Sequence, residues 1–140
     1  MRRGGSKSAS NAPRPDVIVD FQCAQGLLFI LLKNIGERSA YGVRASFDKP
    51  LLGLSGQKNI SELQLFRSVE FVPPGKEFSQ LVDPVAIWFQ QDRPSRYTIT
   101  ITYSDRDGNE FRECIVHNLD IYKDLGYISF SGGSDGNPTQ

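Results

Sequence analysis

The chain has 140 residues, 39% of them hydrophobic, which favours a single folded domain with its own apolar core. The 16 basic residues balance the 16 acidic ones, so the formal net charge is zero and no overall positive field attracts a nucleic acid. The longest apolar run, Leu27 to Leu32, is far shorter than the roughly 20 residues that cross a bilayer. We therefore expect neither a nucleic-acid partner nor direct membrane insertion.

Both ends of the chain are poor in large apolar side chains. Residues 1–15 are basic and rich in small residues, and residues 129–140 are rich in Gly, Ser, Asn and Pro. Burial cannot offset the entropy of ordering such segments, so a disordered N-terminal arm and a disordered C-terminal tail are expected. The N-terminus lacks the apolar stretch of a secretory signal. Export is therefore not expected for the chain as written, and localisation stays open because a signal or anchor could precede it in a longer precursor.

Between residues 16 and 128 the hydrophobic pattern has a period of two, which indicates β-strands. DVIVDFQC is the first strand. LLFILLK follows with six successive apolar residues and must be covered on both faces, so it is predicted to be a central strand. Asn34 and Gly36 lie in the connection after it and suit a hairpin-like turn with positive φ.

Two later segments, AYGVRASFD and RYTITITYSD, alternate between an apolar and a polar face. One polar face on each strand indicates an antiparallel sheet. Further strands are predicted from Leu63 to Val72 and from Glu77 to Val82, because Pro73-Pro74-Gly75 between them ends one strand and turns the chain.

A last long strand is predicted from Glu110 to Asn118, paired with RYTITITYSD across the Asp105 to Gly108 turn. Its apolar residues fall on both faces, so a bulge or burial on both sides is expected. The stretch LDIYKDLG is expected to form a single helical turn. Pro50 to Ile60 is predicted to be a long loop, and Pro84 to Gln91 either a strand or an irregular crossing.

About seven short strands with regular turns predict an all-β, immunoglobulin-like antiparallel sandwich over residues 16–128. FVPPGKEF resembles the Pro-Gly turn of bacterial and archaeal adhesion-related immunoglobulin-like domains, and PSRYTITITYSDRDGNEF resembles the penultimate strand and final hairpin of fibronectin type III-like modules. LLFILLKNIGERSAYGVRASF resembles the second and third strands of the adhesion-related domains, and the match is carried by Asn34, Gly36, Ala40, Val43 and Ala45. The resemblance implies a non-enzymatic module that binds, spaces or presents something.

The sequence offers little support for catalysis. His117 is the only histidine, and neither a Gly-x-Ser-x-Gly elbow nor a phosphate-binding loop is present. Asp105, Asp107 and Asn109 have the alternating oxygen spacing of a calcium loop, but Gly108 does not stand where an EF-hand glycine does, and a plain turn is favoured. We expect no enzyme activity, no cofactor and no metal.

Cys23 and Cys114 lie far apart and match neither a zinc-type pair nor a dense disulfide framework. Two free thiols are expected. The alternative is a disulfide between the first and last strands, which would need an oxidising compartment. The antibody-type pattern is absent, because Cys23 precedes the second predicted strand, Cys114 follows the sixth and Trp88 lies elsewhere.

The central strand suggests where a partner would bind. Only one of its two apolar faces can line a core, so the other must be covered by a loop, a tail or another molecule. Alternation in VAIWFQQ also places Trp88 opposite its apolar neighbours, where it could anchor a partner. The candidate interaction surface, for an unidentified protein partner, consists of Leu28, Ile30, Leu32 and Trp88.

These observations favour a module for protein-protein interaction or spacing. The alternative is a carbohydrate-binding module, in which Trp88, Tyr41 or Tyr127 converge on one exposed face and stack on a sugar.

Overall fold

The computed structural model describes residues 12–124, and the predicted tail at residues 129–140 lies outside them, as does most of the predicted N-terminal arm. Most of the described chain is strand. In chain order, the strands are β1 (Val17–Ala24), β2 (Leu27–Asn34), β3 (Ala40–Phe47), β4 (Leu52–Gly53), β5 (Lys58–Asn59), β6 (Val69–Val72), β7 (Glu77–Pro84), β8 (Arg96–Ser104) and β9 (Glu110–Asn118).

Seven of these strands form two antiparallel sheets that pack face to face. One sheet has three strands in the order β1-β2-β7, and the other has four in the order β6-β3-β8-β9. The core lies between them and is lined by the inward-facing residues of both, such as Ile30 of β2 and Ile101 of β8. The prediction of an all-β antiparallel sandwich is confirmed, and β2 is central to its sheet as predicted.

The predicted strand from Leu63 to Val72 is partly wrong. Gln64–Arg67 form a short helix, α1, and β6 begins only at Val69. The helical turn brings Phe66 into the core, where its ring meets that of Phe47 edge to face at 5.1 Å between centroids. An extended backbone through this stretch would not provide that contact, so tertiary packing outweighs the alternating pattern.

The two segments without a clear pattern contain regular structure. The predicted loop from Pro50 to Ile60 contains the small β4–β5 hairpin and continues into a 3-10 turn at Ile60–Glu62. Val85–Gln90 form helix α2, so a strand or irregular crossing was the wrong prediction there. Helix α2 buries Val85 and Trp88, which lie one helical turn apart. Residues 121–124 form the expected C-terminal helical turn.

Strand β9 differs from the prediction in its exposure. It pairs with β8 in one unbroken register from Glu110 to Asn118, so the expected bulge is wrong. One face of β9 is exposed, and Val116 on that face is 55% accessible, so burial on both sides is wrong as well. The reason is that no further layer covers the outer face of this four-stranded sheet within residues 12–124.

Asn34, at the end of β2, is fully buried and makes every hydrogen bond that its side chain offers. Its amide oxygen accepts hydrogen bonds from the backbone N–H groups of Asp16 at 3.1 Å and Gly36 at 2.9 Å. Its amide nitrogen donates to the carbonyl oxygens of Arg38 at 2.8 Å and Val72 at 2.9 Å. One side chain therefore joins the chain before β1, the β2–β3 connection and the end of β6.

The β2–β3 connection is not the hairpin-like turn with positive φ that Asn34 and Gly36 suggested. It crosses from one sheet to the other, and neither residue has positive φ. Gly36 is needed for a close approach instead, because a Cβ there would lie 2.4 Å from the carbonyl oxygen of Arg14. That oxygen accepts a hydrogen bond from the N–H of Glu37 at 3.0 Å. The backbone of Arg14 is thus packed against the β2–β3 connection.

Side chains from outside its own sheet close the free edge of β1. The Nε2 atom of His117 lies 2.9 Å from the carbonyl oxygen of Val19, and the hydroxyl of Tyr122 donates to the carbonyl oxygen of Phe21 at 2.8 Å. Unpaired carbonyls on an edge strand promote pairing with other chains. These contacts occupy two such carbonyls and hold the two sheets together on this side.

Glu113 of β9 holds the segment before β1 at the same edge. Its Oε2 atom accepts hydrogen bonds from the hydroxyl of Tyr103 at 3.0 Å and from the guanidinium of Arg14 at 3.1 Å. Burial raises the pKa of Glu113, and the nearby carboxylate of Asp16 adds to the increase, while the contacts from Tyr103 and Arg14 oppose it. The protonated form of Glu113 is therefore favoured by folding.

We expect Asn34→Asp to lower the free energy of unfolding by about 3 kcal/mol or more at about pH 7, because a carboxylate cannot donate to the buried carbonyls of Arg38 and Val72. Folding raises the pKa of such a carboxyl, so the loss relative to wild type should shrink as pH falls from the folded pKa towards the unfolded value of about 4, below which both states are protonated. Urea denaturation at both pH values measures it. Gln22→Glu, exposed on β1, is the matched control, and an equal loss in both variants would contradict the role of Asn34.

We expect Glu113→Gln to gain stability relative to wild type as pH rises from about 4 to about 7. A carboxyl whose folded pKa is raised contributes stability below its unfolded pKa and loses it as pH rises through the folded pKa. Glutamine keeps the shape of the protonated form without that loss. Thermal unfolding of both proteins across the range tests this, with exposed Glu110→Gln as the control. A difference that falls with pH would show that the Arg14 ion pair dominates, and a constant difference would show that folding does not raise the pKa of Glu113.

Candidate functional site

The structure places the four residues of the predicted interaction surface in the core. Leu28, Ile30 and Leu32 are 0% exposed, and Trp88 is 2% exposed. The alternation of β2 was recognised correctly, but the inward face was taken as the surface. Which face points inward depends on the position of the second sheet, and the sequence of β2 is apolar on both.

Trp88 is covered by a buried ion pair. The guanidinium of Arg93 lies 4.8 Å from the centre of the Trp88 ring, and its Nη1 atom lies 3.0 Å from a carboxylate oxygen of Asp83. The Asp83 carboxylate also accepts the backbone N–H of Ser55 at 2.8 Å, and Arg93 donates to the carbonyl oxygen of Leu52. Arg93 therefore fixes the β4 region against β7 and leaves Trp88 no face for a ligand.

The outer face of the four-stranded sheet carries exposed aromatic side chains. Tyr41 of β3 lies opposite Phe71 of β6, with 5.4 Å between ring centroids, and Phe71 is 50% exposed. The register of β3 against β8 shifts between Tyr41 and Arg44, and Gly42 within that bulge has a φ of +59°. Residues three apart in a regular strand point to opposite faces, so the bulge is what puts Tyr41 and Arg44 on the same face.

Two arginines flank the threonine-rich strand on this face. Arg44 of β3 and Arg112 of β9 both pair with Thr102 of β8, one from each side. Neighbouring strands are about 4.8 Å apart, so the two arginine backbones are separated by roughly 10 Å. In the part of the chain that the structure describes, neither arginine takes part in an ion pair. Both arginines are exposed.

A cleft of about 510 Å³ runs between these side chains. Its walls carry the hydroxyls of Ser68, Thr102 and Ser104, and Glu110 supplies one carboxylate. We call Tyr41, Phe71, Arg44 and Arg112 the aromatic–arginine surface. It combines apolar rings, guanidinium groups and hydroxyl groups on a hydrogen-bonded sheet.

A second cleft, of about 420 Å³, adjoins the surface at the end of the sandwich. Tyr41 lines it, together with Arg38 of the β2–β3 connection and Arg106 of the β8–β9 turn. Glu37 and Asp107 also lie in its wall, so its charge is mixed. Carboxylates thus outnumber arginines in the lining of this second cleft, whereas Arg44 and Arg112 face a single carboxylate, Glu110, in the lining of the first.

The residues at the β8–β9 turn that have the oxygen spacing of a calcium loop stabilise the turn itself. One carboxylate oxygen of Asp105 accepts the backbone N–H groups of Asp107 and Asn109, each at 2.9 Å, and the other accepts the side-chain amide of Asn109 at 2.9 Å. Burial opposes ionisation of Asp105, but these hydrogen bonds, with one from Gly108, lower its pKa overall. Within residues 12–124, no group of three or more His, Cys, Asp or Glu side chains is placed to hold a metal ion.

Sequence reasoning missed the two arginines. The hairpin across the Asp105 to Gly108 turn already implied that Arg112 would pair with Thr102. The position of Arg112 could therefore have been predicted from turn geometry. The position of Arg44 was not, because it depends on pairing between β3 and β8, which are distant in sequence. Tyr41 was identified as a candidate, whereas Tyr127 lies outside the described residues.

The two cysteines are free thiols, as predicted, and the alternative of a disulfide is wrong. Cys23 is half-buried and packs against the core, and this burial raises its pKa. Cys114 is exposed on the outer face of β9, where it pairs with Thr100. The two side chains belong to different sheets and different faces, so no bridge connects them.

We expect a thiol reagent such as Ellman's reagent to modify Cys114 rapidly in the native protein and Cys23 much more slowly. Thiolates are the reactive species, and burial both shields Cys23 and disfavours its thiolate. Rates measured on Cys23→Ser and Cys114→Ser separate the two groups, and mild denaturation should make both rates similar. Equal native rates would contradict the burial of Cys23.

No helix within residues 12–124 has the length and apolar character needed to span a membrane.

Comparison with known proteins gives a family but no activity. No curated protein matches the sequence. A family model described as a domain of unknown function, DUF8453, matches residues 2–123, which is most of the chain. The chain therefore belongs to the DUF8453 family.

Proposed function

We propose that this chain is a non-enzymatic, immunoglobulin-like module that binds a protein partner through the aromatic–arginine surface. The single observation that carries the proposal is the bulge at Gly42, which presents Tyr41 and Arg44 together on an exposed face. The packing of a three-stranded sheet on a four-stranded sheet supports the immunoglobulin-like, fibronectin type III-like part of the proposal. So does the resemblance to adhesion-related domains.

The residue types on this surface favour a protein partner. Tyrosine and arginine are enriched among the residues that dominate binding energy at protein interfaces, because they bury a large area with few flexible bonds or make forked hydrogen bonds. Both are present here on strands that pairing holds in place, which limits the entropy lost on binding. The surface therefore has anchors and a rigid support.

The charge of the surface favours a partner with acidic residues. Arg44 and Arg112 have no carboxylate partner within the described chain, and guanidinium groups bind carboxylates through two parallel hydrogen bonds. The whole chain is neutral, so this attraction is local and acts over about 10 Å at physiological salt. An extended peptide with acidic residues beside an apolar one would match the arginines and the aromatic pair together.

Carbohydrate binding is less well supported than protein binding. Trp88 is covered by Arg93, so it cannot stack on a sugar. The rings of Tyr41 and Phe71 are tilted by 49° to each other and do not form a flat platform. A glycan array provides the direct comparison.

We expect peptides selected by phage display on the immobilised full chain to be enriched in Asp and Glu next to an aromatic or aliphatic residue. The selected peptides should shift backbone amide resonances on the outer faces of β3, β8 and β9. Tyr41→Ala or Arg44→Ala should weaken their binding by roughly 30-fold, the effect of losing a dominant interface residue. Raising salt from about 0.1 M to about 0.5 M should weaken binding to wild type more than to Arg44→Ala.

Lys33→Ala, an exposed cation on the opposite sheet, is the matched control and should leave binding unchanged. Selected peptides that bind elsewhere, or that tolerate both Tyr41→Ala and Arg44→Ala, would overturn the assignment of this surface. Enrichment of glycans on the array with no peptide selected would favour the carbohydrate alternative.

A further inference from the structure

Strand β9 forms one edge of the four-stranded sheet, and its pairing with β8 fixes which backbone groups face that edge. The N–H of Leu119 donates to the carbonyl oxygen of Ser95 at 2.7 Å, and the N–H of Asp105 donates to that of Asn109 at 2.9 Å. Both bonds join odd-numbered residues in the register of the β8–β9 pair. The backbone groups of successive residues in an antiparallel strand point to opposite sides. The even-numbered residues therefore direct their N–H and C=O groups away from β8: Glu110, Arg112, Cys114, Val116 and Asn118.

This edge differs from the other long edges of the sandwich. Within residues 12–124, no strand pairs with the outward side of β9 and no backbone group bonds to it. By contrast, side chains of His117 and Tyr122 bind two carbonyls of β1, and the N–H of Leu54 binds the carbonyl of Val82 on β7. Strand β9 has nine residues, no proline and no register shift. Such an edge is a template for a further strand.

The side chains along the edge determine which strand it would accept. The even-numbered residues 110–116 are exposed on the outer face, and Val116 is 55% exposed. Residues directly opposite each other in an antiparallel pair lie on the same face, with about 5 Å between their Cβ atoms. Opposite charges at such positions stabilise the pair, and like charges destabilise it. Arg112 therefore favours a carboxylate opposite it, Glu110 favours a basic residue, and Val116 favours an apolar one.

A second copy of β9 does not provide these complements. When two copies pair antiparallel about Cys114, all of β9 overlaps, but Arg112 faces Val116 of the other copy and Glu110 faces Asn118. A register that places Arg112 opposite Glu110 leaves only the segment from Glu110 to Arg112 overlapping. A copy of this chain therefore matches either the length of the edge or its charges, but not both.

We propose that the edge of β9 binds an extended segment of another protein, which joins the sheet as an additional antiparallel strand. The segment has an apolar residue opposite Val116, an acidic residue four positions later opposite Arg112, and a basic residue two positions after that, opposite Glu110. Main-chain hydrogen bonds supply affinity in this mode of binding, and the alternate side chains supply specificity. The proposal goes beyond the aromatic–arginine surface, because strand addition at this edge does not require Tyr41.

Amide hydrogen exchange of the full chain tests the proposal, with and without the end-blocked peptide Val-Ile-Ser-Thr-Glu-Val-Lys. In the free chain, the outward N–H groups of Arg112, Cys114 and Val116 should exchange fast, and those of Glu113 and Ile115, which bond to β8, should exchange slowly. Saturating peptide should slow the three outward amides by about tenfold or more, because each gains a hydrogen bond.

Two N-methylated forms of the peptide are matched controls for the direction of its backbone. Methylation of the serine nitrogen, which faces Cys114, removes a donor to β9 and should weaken binding by about tenfold. Methylation of the threonine nitrogen, which faces Glu113, alters an N–H that points away from β9 and should leave the affinity within about twofold. Similar losses from both methylations would contradict strand addition.

A charge exchange tests the pairing at Arg112. Arg112→Glu should weaken binding by about fivefold, and a peptide with lysine in place of glutamate should restore it. Arg106→Glu, in the β8–β9 turn, is the control and should leave binding unchanged. Loss of affinity in both variants without rescue by the lysine peptide would overturn the predicted register.

The remaining outcomes separate this proposal from the proposed function. Tyr41→Ala should leave binding of the peptide unchanged. If Tyr41→Ala abolishes binding and the amides of β9 stay unprotected, the peptide occupies the aromatic–arginine surface, and the edge proposal is wrong while the proposed function stands. Outward amides that are already protected in the free chain, whether at all concentrations or only at high ones, would assign the edge to this chain or to a second copy. Absence of binding at millimolar peptide would also overturn the proposal.

Discussion

The side-chain amide of Asn34 is the constraint on which the two-sheet arrangement depends. It is fully buried and satisfies four backbone groups from three separate stretches of chain. A buried backbone group without a partner costs about 1–3 kcal/mol, so none of these stretches can move away without leaving another unsatisfied. The start of β1, the crossing to β3 and the end of β6 are therefore fixed together, at one end of the sandwich.

That constraint leads directly to the exposed surface. The crossing from Asn34 ends at Ala40, which is buried and pairs with Val72, the residue whose carbonyl Asn34 also binds. Tyr41 follows on the outer face, and the bulge at Gly42 then brings Arg44 to the same side. The geometry of the aromatic–arginine surface thus begins with a buried amide only a few residues upstream. The buried polar side chain of Asn34 therefore has a role in positioning β3.

The sequence predicted those features that depend on neighbours along the chain. Alternation of apolar and polar residues identified β3 and β8, and the turn at Pro73 to Gly75 separated β6 from β7. Both signals depend only on residues that are close together in the sequence. Features that depend on distant contacts were not accessible. Phe66 turns into a helix to reach Phe47, and β2 is apolar on both sides, so its inward face is chosen by the opposite sheet. Gly36 was recognised as special, but its cause is the distant Arg14.

The net charge is zero, but the arginines differ in whether they are paired with a carboxylate within the fold. Arg93 and Arg14 are each paired with a carboxylate inside the fold, where they hold the β4 region and the segment before β1. An external ligand would have to break those pairs, and removing one partner of a buried pair such as Arg93 with Asp83 costs about 3–5 kcal/mol. Arg44 and Arg112 carry no such penalty within the described chain. On this face the proposed partner would therefore meet guanidinium groups that make no ion pair within residues 12–124.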